Sequence, residues 1–364
     1  SFYNEGFLVK TTDSTTSIFV GFDGTNGTID VEEGRLDLQG SFVNFASNRL
    51  EGGRYIIAGE LRFPGADIQA NAATIELIAP AAAIRDTGGN DALRNFSTNE
   101  AGGIFAIADG ADVTVPADFT NAGIIDVEFD STFTVTGNFI QTAGQTWVAE
   151  GGSIDPSNQF LLQGGTLEGG GIIGADTINS GGNVMPGFDG PGILTIRGNY
   201  TQTAGGSLSF DVAGTEIGTQ HDRFSVFNAV DLDGTLNIHV ADTFLPGRGD
   251  LFELLASLGN QTGDFATFNG LVIDSNRVLV PVRTANTYSL ASVVAGIKIE
   301  PLTGLQTSEA GGTATFTIEL QDIPAAPVTI HLESSDSGEG VLDLQSVSFD
   351  SSNWNVPQTV TITG

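Results

Sequence analysis

One phrase of sequence occurs twice and limits what this chain can fold into. It reads GNFIQTAGQTW from Gly137 to Trp147 and GNYTQTAGGSL from Gly198 to Leu208. In both copies aromatic and β-branched residues flank small polar residues, and Ala-Gly closes the phrase where the backbone must turn. A repeat of this kind indicates that one structural unit, here a strand followed by a corner, is used again along the chain.

A second repeated phrase indicates the same kind of unit. It reads TNGTIDVEEGRLDLQGSF near the start of the chain and TNAGIIDVEFDSTFTVTGNF further along. If each repeat is one unit, equivalent residues occupy matching positions, so Phe139 is expected to match Tyr200, and Ile29 to match Ile125. The repeats are unequally spaced, which favours a coil with corners of variable length over a propeller with blades of fixed size.

The hydrophobic pattern defines the fold class. Apolar and polar residues alternate along most of the chain, as in TIDV and SLSFDV, and no capped stretch has the 3.6-residue period of a helix. Short segments separated by Gly, Asn and Asp predict an all-β protein, and over residues 1–290 a parallel β-helix. Its coils would stack about 4.8 Å apart around a continuous apolar core. Residues 78–103 are the least regular part and are predicted to be a loop or lateral excursion.

The net charge limits the partners. The 364 residues include 13 Lys and Arg against 44 Asp and Glu, a formal charge of −31. Such a surface repels phosphate backbones and anionic lipids, so it argues against nucleic acid and membrane surfaces and favours cations. No apolar run of about 18 residues is present that could span a bilayer.

The repeat pattern is strongest from Gly137 to Leu290. A Gly-rich coil, a Pro-Gly and the phrase TIRGNYTQ follow one another between Gly169 and Val240, and a segment from Leu245 to Gly270 contains FELL and GDFA. This part resembles the β-helical stalks of large bacterial surface and secreted proteins, similar to autotransporter passenger domains. The resemblance implies a right-handed parallel β-helix, closed by the segment 245–270, located outside the cell or at the bacterial cell surface. It implies no catalytic residues.

The sequence pattern changes after a predicted linker at residues 291–297. The stretches TSEAGGTATFTI from Thr307, PVTI from Pro327, SSDSGEG from Ser334 and NWNVPQTVTITG from Asn353 follow in order. With these, residues 298–364 resemble the bacterial relatives of Calx-β, an immunoglobulin-like sandwich repeated in giant adhesins. The relatives continue beyond the last of these strands, and the first residues read as the middle of a coil. We therefore expect a window of a longer protein, or a subunit with ends covered by neighbours.

The residues capable of chemistry leave two functional classes open. His221, His239 and His331 are scattered without the convergent partners of a zinc site or a nucleophile–base pair, and His221 is predicted to be exposed in a turn. Most acids alternate with apolar residues, which predicts that they lie on the solvent face of strands. The alternative is a polysaccharide-binding or polysaccharide-cleaving β-helix. A cleft with two carboxyl groups about 5 to 10 Å apart beside a stacking ring would favour the enzyme.

Three acids predict a calcium site at one end of the sandwich: Glu309, Asp336 and Glu339. Strands leaving and returning to that end would bring them together, and clustered carboxylates repel one another unless a cation intervenes. The site would be weak and incomplete, because the relatives carry further acids there. The two GFDG tetrapeptides are a weaker calcium signal, since tight turns use the same residues.

The sequence therefore predicts a non-enzymatic, extracellular structural or adhesive segment. The β-helix would act as a stiff stalk, and the sandwich as a spacer or docking module. The predicted partners are neighbouring copies, further domains of the same long chain, and cell-surface or matrix polysaccharide.

Overall fold

The computed structural model describes residues 1–274, 276–324 and 326–364. Within these residues the chain forms 41 β-strands and no helix, which confirms the all-β class. No helix of these residues is long and apolar enough to cross a membrane. The strands up to residue 162 are β1 Phe2–Tyr3, β2 Phe7–Ile18, β3 Phe22–Asp23, β4 Thr28–Leu38, β5 Phe45–Ala46, β6 Arg49–Ile57, β7 Glu60–Phe63, β8 Ala70–Leu77, β9 Ala83–Asp86, β10 Thr98–Asn99, β11 Ile104–Ile107, β12 Val113–Val115, β13 Phe119–Asn121, β14 Ile124–Val127, β15 Thr132–Val135, β16 Phe139–Gln141, β17 Gln145–Val148, β18 Ser153–Pro156 and β19 Gln159–Leu162.

The remaining strands follow in the same order. They are β20 Thr166–Gly169, β21 Ile172–Ile173, β22 Asp176–Asn179, β23 Asn183–Pro186, β24 Ile193–Ile196, β25 Tyr200–Gln202, β26 Ser207–Val212, β27 Arg223–Val226, β28 Val230–Leu232, β29 Thr235–Val240, β30 Leu251–Ser257, β31 Gln261–Gly263, β32 Thr267–Asn269, β33 Val272–Asp274, β34 Arg277–Arg283, β35 Thr287–Val294, β36 Ile297–Glu300, β37 Thr313–Leu320, β38 Val328–His331, β39 Val341–Leu342, β40 Ser346–Phe349 and β41 Gln358–Thr363. Of the predicted linker, residues 291–294 belong to β35 and residue 297 begins β36.

The strands of residues 98–269 form three parallel stacks, which the chain visits in a fixed order. Stack A contains β10 and every third strand to β31. Stack B runs likewise from β11 to β32, and stack C from β12 to β30. Each strand thus pairs with the one three elements later, which is compatible with a β-solenoid.

The repeated phrases occupy equivalent rungs, as predicted. In stack A, Phe139 pairs with Phe160, Phe160 with Thr177 and Thr177 with Tyr200. In a second column, Ile29 connects through Tyr55, Ile75 and Phe105 to Ile125. All these side chains are buried, and burying each large apolar one stabilises the fold by roughly 1.5–3 kcal/mol.

A column of buried amides lies at the end of the stack A strands. Asn71 Nδ2 donates to Asn99 Oδ1 at 2.9 Å, and Asn99 Nδ2 donates to Asn121 Oδ1 at 3.0 Å. In later coils the same register position holds Gln141, Asn179 and Gln202, with Leu162 interrupting the amides between Gln141 and Asn179. Buried amides need partners, and here each amide finds them in the next coil and in the adjoining corner.

The corner from stack A to stack B explains why Ala-Gly closes the first repeated phrase. Gly144 has φ +66°, and a Cβ atom there would lie 1.9 Å from the carbonyl oxygen of Gly123 in the preceding coil. Only glycine combines a left-handed backbone with so close an approach. Successive coils can therefore stack tightly at this corner.

The chain divides into two compact units. The first comprises residues 1–244, 252–270 and 283–289, and the second residues 245–251, 271–282 and 290–364. Within the second, β36, β37, β41 and β39 form one antiparallel sheet, while β38 and β40 form a separate antiparallel pair. Ile318, Leu320, Val347, Phe349 and Val360 form its buried core, and Trp354 packs against them.

Candidate functional site

The outer face of stack B carries a column of chemically distinctive side chains. Strand alternation turns every second residue outward, and inter-strand pairing aligns these residues on successive rungs. In order, the column holds Glu76 of β8, which pairs with the first strand of stack B, and then Ala106, Asp126, Trp147, Glu168 and Met185. The indole of Trp147 therefore belongs to a rung between two carboxylates.

Three adjacent members of this column carry unpaired polar atoms. Asp126 Oδ1, Trp147 Nε1 and Glu168 Oε1 are covered from solvent and make no hydrogen bond within the part of the chain that the structure describes. Buried polar groups are nearly always hydrogen-bonded, and each unsatisfied one costs about 1–3 kcal/mol. A donor and two acceptors on consecutive rungs are thus left without partners.

Burial also changes the acidity of the two carboxyl groups. Burial, with smaller contributions from the charges of Glu128 and Glu76, raises the pKa of Asp126 to about 7. Burial raises the pKa of Glu168 as well. Asp126 is therefore partly protonated near neutral pH and can then donate a hydrogen bond as well as accept one.

A groove of about 410 Å³ lies beside Trp147. The loop 187–192 between β23 and β24 brings Phe188 back against Trp147, with ring centroids 4.8 Å apart and the planes tilted by 44°. Phe188 is 56% exposed. Glu150, Gly170 and Pro191 also line the groove, and Gly170 contributes no side chain to fill it. A second cavity of about 540 Å³ is lined by residues that include Ile124, Gln145, Thr166, Glu168 and Met185.

Asp222 fixes the loop that carries Phe188. Its Oδ1 accepts the N–H of Gly192 at 2.8 Å, and its Oδ2 accepts the N–H of Asp211 in β26 at 2.7 Å. The side chain is only 2% exposed. Burial raises the pKa of Asp222 to about 7, although both backbone hydrogen bonds act to lower it.

The prediction that His221 is exposed is wrong, since this residue is 1% exposed. Residues 213–222 fold back on β26, with a bridge between Val212 and His221 and a hydrogen bond from the Asp222 N–H to the Asp211 carbonyl. The ring packs edge-on to Phe252 at 5.7 Å. Burial lowers the pKa of His221, so the imidazole is kept neutral, and it takes part in packing rather than in the groove.

The predicted calcium ligands lie at one end of the four-stranded sheet. Thr313, which follows the turn of Glu309, pairs with Thr363, and Thr363 also pairs with Val341, which follows the turn of Asp336 and Glu339. All three acids are exposed. Within the described residues no group of three or more His, Asp and Glu side chains is close enough to hold a metal ion, and the calcium site stays a prediction.

The sequence analysis did not identify the groove residues. The two copies of the first repeated phrase are in register at their start but differ by one residue at their end. Pairing matches Thr146, not Trp147, with Leu208 through Leu167 and Val184. The second copy thus holds one extra residue at its corner, which leaves Trp147 facing outward. The search for two carboxyl groups beside a stacking ring could have identified Trp147, Asp126 and Glu168 only if this register had been known.

The spacing of the two carboxyls bears on the enzyme alternative. Asp126 and Glu168 are two rungs apart, which corresponds to about 9.4–9.8 Å between their backbones along the stack. Inverting glycosidases hold their two carboxyl groups about 6.5–9.5 Å apart, so the backbone spacing lies at the upper limit of that range. No protein-family model matches the chain, and no curated protein matches it.

Proposed function

We propose that this chain is an extracellular structural or adhesive segment of a large bacterial surface or filament protein. Residues 1–290 would form a right-handed parallel β-helix that acts as a stiff stalk. Residues 298–364 would form a Calx-β-like, immunoglobulin-type sandwich that acts as a spacer or docking module. Neighbouring copies and further domains of the same long chain are the proposed partners.

The observation that supports this proposal is the unbroken parallel pairing of all three stacks through residues 98–269. Every coil is tied to the next by backbone pairing, and several coils are joined in addition by buried amides and by stacked rings. The rings of Phe139 and Phe160, for example, lie 4.7 Å apart and 8° from parallel. Bending such a stack would require many of these contacts to change together. The proposed stalk would therefore be stiff, and this role requires no catalytic residue.

Single-molecule pulling from the two ends tests the stalk. Coils of stack A range from 17 residues, between Phe160 and Thr177, to 31 residues, between Val230 and Gln261, so each should release roughly 60–110 Å of chain when it unravels. We expect stepwise extension in increments of this range, and a lower force for the affected coils in Phe139→Ala. Smooth extension at the force of an unfolded chain would contradict the proposal.

Polysaccharide binding or cleavage is a second candidate function, favoured by the groove of Trp147 and Phe188 and by the carboxyl groups of Asp126 and Glu168 on the rungs on either side of Trp147. Cleavage is tested by incubation with neutral polysaccharides and measurement of reducing ends. If cleavage occurs, Asp126→Asn and Glu168→Gln should each remove it, because both carboxyls are needed. Release that continues in both variants would rule out this pair.

A further inference from the structure

The groove beside Trp147 places the exposed ring of Phe188 next to Trp147, whose indole N–H has no partner within the described residues. We propose that this face of stack B binds a neutral hexopyranose polysaccharide, with Trp147 and Phe188 as the rings against which sugars stack. This inference rests on the second candidate function and is independent of the stalk. It concerns binding and assigns no catalytic residue.

The ring pair supplies the apolar part of the site. A pyranose ring presents an apolar face of C–H groups, and a rigid aromatic side chain covers such a face at little entropic cost. Trp147 is held on a strand, and Phe188 is held by the loop that Asp222 fastens through Gly192. The site is thus largely formed before a ligand arrives, as small-molecule sites usually are.

The unpaired atoms supply the polar part of the site. The indole N–H of Trp147, in the groove, requires an acceptor, and the free oxygens of Asp126 and Glu168 on the adjacent rungs require donors. Glu168 lines the second cavity, and Asp126 is one rung beyond Trp147 on the other side. A sugar hydroxyl offers both, since it donates one hydrogen bond and accepts others. An apolar ligand would leave all three atoms unpaired, and a simple cation would leave the indole N–H unpaired.

Charge selects a neutral polysaccharide. The chain carries a formal charge of −31, and Glu150 and Glu168 line the two cavities. A uronic-acid or sulfated polymer would bring like charges together, which opposes association. A neutral chain avoids this repulsion and keeps every hydroxyl contact.

The test measures binding of cellohexaose, mannohexaose and laminarihexaose to the full chain by calorimetry, with polygalacturonate as the anionic comparison. Trp354→Phe leaves Trp147 as the only tryptophan, so its fluorescence reports the groove directly. We expect saturable binding of at least one neutral hexamer with a Kd below about 1 mM. Trp147→Ala should weaken it by about tenfold or more, which corresponds to the upper end of one aromatic contact.

Phe188→Ala is the second test, because an exposed loop side chain can be removed without loss of the core. It should weaken binding by about three- to tenfold. The matched control is Phe227→Ala, which removes a phenyl group that is 48% exposed and lies outside the groove lining. This control should leave the Kd unchanged.

Each contrary result has a separate meaning. Binding that survives both Trp147→Ala and Phe188→Ala overturns this site but leaves the polysaccharide function standing. No binding of any neutral hexamer overturns both and leaves the stalk proposal unaffected. Groove-dependent binding of polygalacturonate in preference to the neutral hexamers overturns the assignment of ligand class.

Discussion

Asp222→Asn should change how the stability of the first unit depends on pH. The folded pKa of Asp222 is raised from an ordinary value of 3.8 to about 7. Between these values the folded state binds more protons than the unfolded chain, so this carboxyl makes the protein less stable as pH rises and has a constant effect above pH 7. Asparagine cannot ionise and removes that dependence.

The magnitude follows from the difference between the two pKa values. Each tenfold difference in proton affinity is worth about 1.4 kcal/mol, so ionising Asp222 in the folded state costs about 4 kcal/mol. The amide introduced by Asp222→Asn can accept only one of the two N–H groups of Gly192 and Asp211, and its own NH₂ faces the other. At pH 4 the variant should therefore be less stable than the wild type by about 1–3 kcal/mol. Because the cost of ionisation is larger than this advantage, the variant should be the more stable protein by pH 8.

Urea unfolding from pH 4 to pH 8, followed by the fluorescence of Trp147 in a Trp354→Phe background, measures this difference. Subtracting the variant from its parent removes the general repulsion of a chain with a charge of −31. Asp242→Asn, which removes one exposed carboxylate, is the control and should show no such change. A wild-type advantage that stays constant or grows as pH rises would refute the reasoning, because it would mean that the two N–H groups outweigh burial.

Three further changes test the fold and the calcium site. Asn99→Ala interrupts the amide column and should destabilise the first unit by about 1–3 kcal/mol in urea unfolding. The control Asn158→Ala, at an exposed position, should change the stability by no more than about 0.5 kcal/mol. Equal effects of the two variants would show that the column has no structural role. Gly144→Ala should destabilise the first unit far more than Gly102→Ala, because both residues have positive φ but only a Cβ at position 144 meets a neighbouring carbonyl. Gly102→Ala should cost about 1–2 kcal/mol. Similar melting temperatures for the two variants would contradict this prediction. At about ten times its Kd, calcium should add roughly 1.4 kcal/mol to the second unit and Glu309→Gln should remove that gain; identical melting of both proteins with EDTA and with calcium would exclude the site.

The repeated phrases and the two-residue alternation were sufficient to predict the fold class and the equivalence of Phe139 with Tyr200 and of Ile29 with Ile125. The physical reason is local, because alternation in a strand decides which side chains can share a buried face. Gly144 was predictable as a corner residue for a similar reason. The amide column was not predicted, because Asn99 and Asn121 individually look like ordinary turn residues.

Only the tertiary structure decided which residues form the groove. One extra residue at the corner of the second phrase places Leu208 inside, while Trp147, aligned with it by sequence, faces outward. The loop 187–192 reaches back to Trp147, and the fold-back of residues 213–222 buries His221 and Asp222. Strand periodicity fixes the two faces of each strand, but corner length and the register between coils decide which side chains meet, and both depend on packing between residues far apart in the chain.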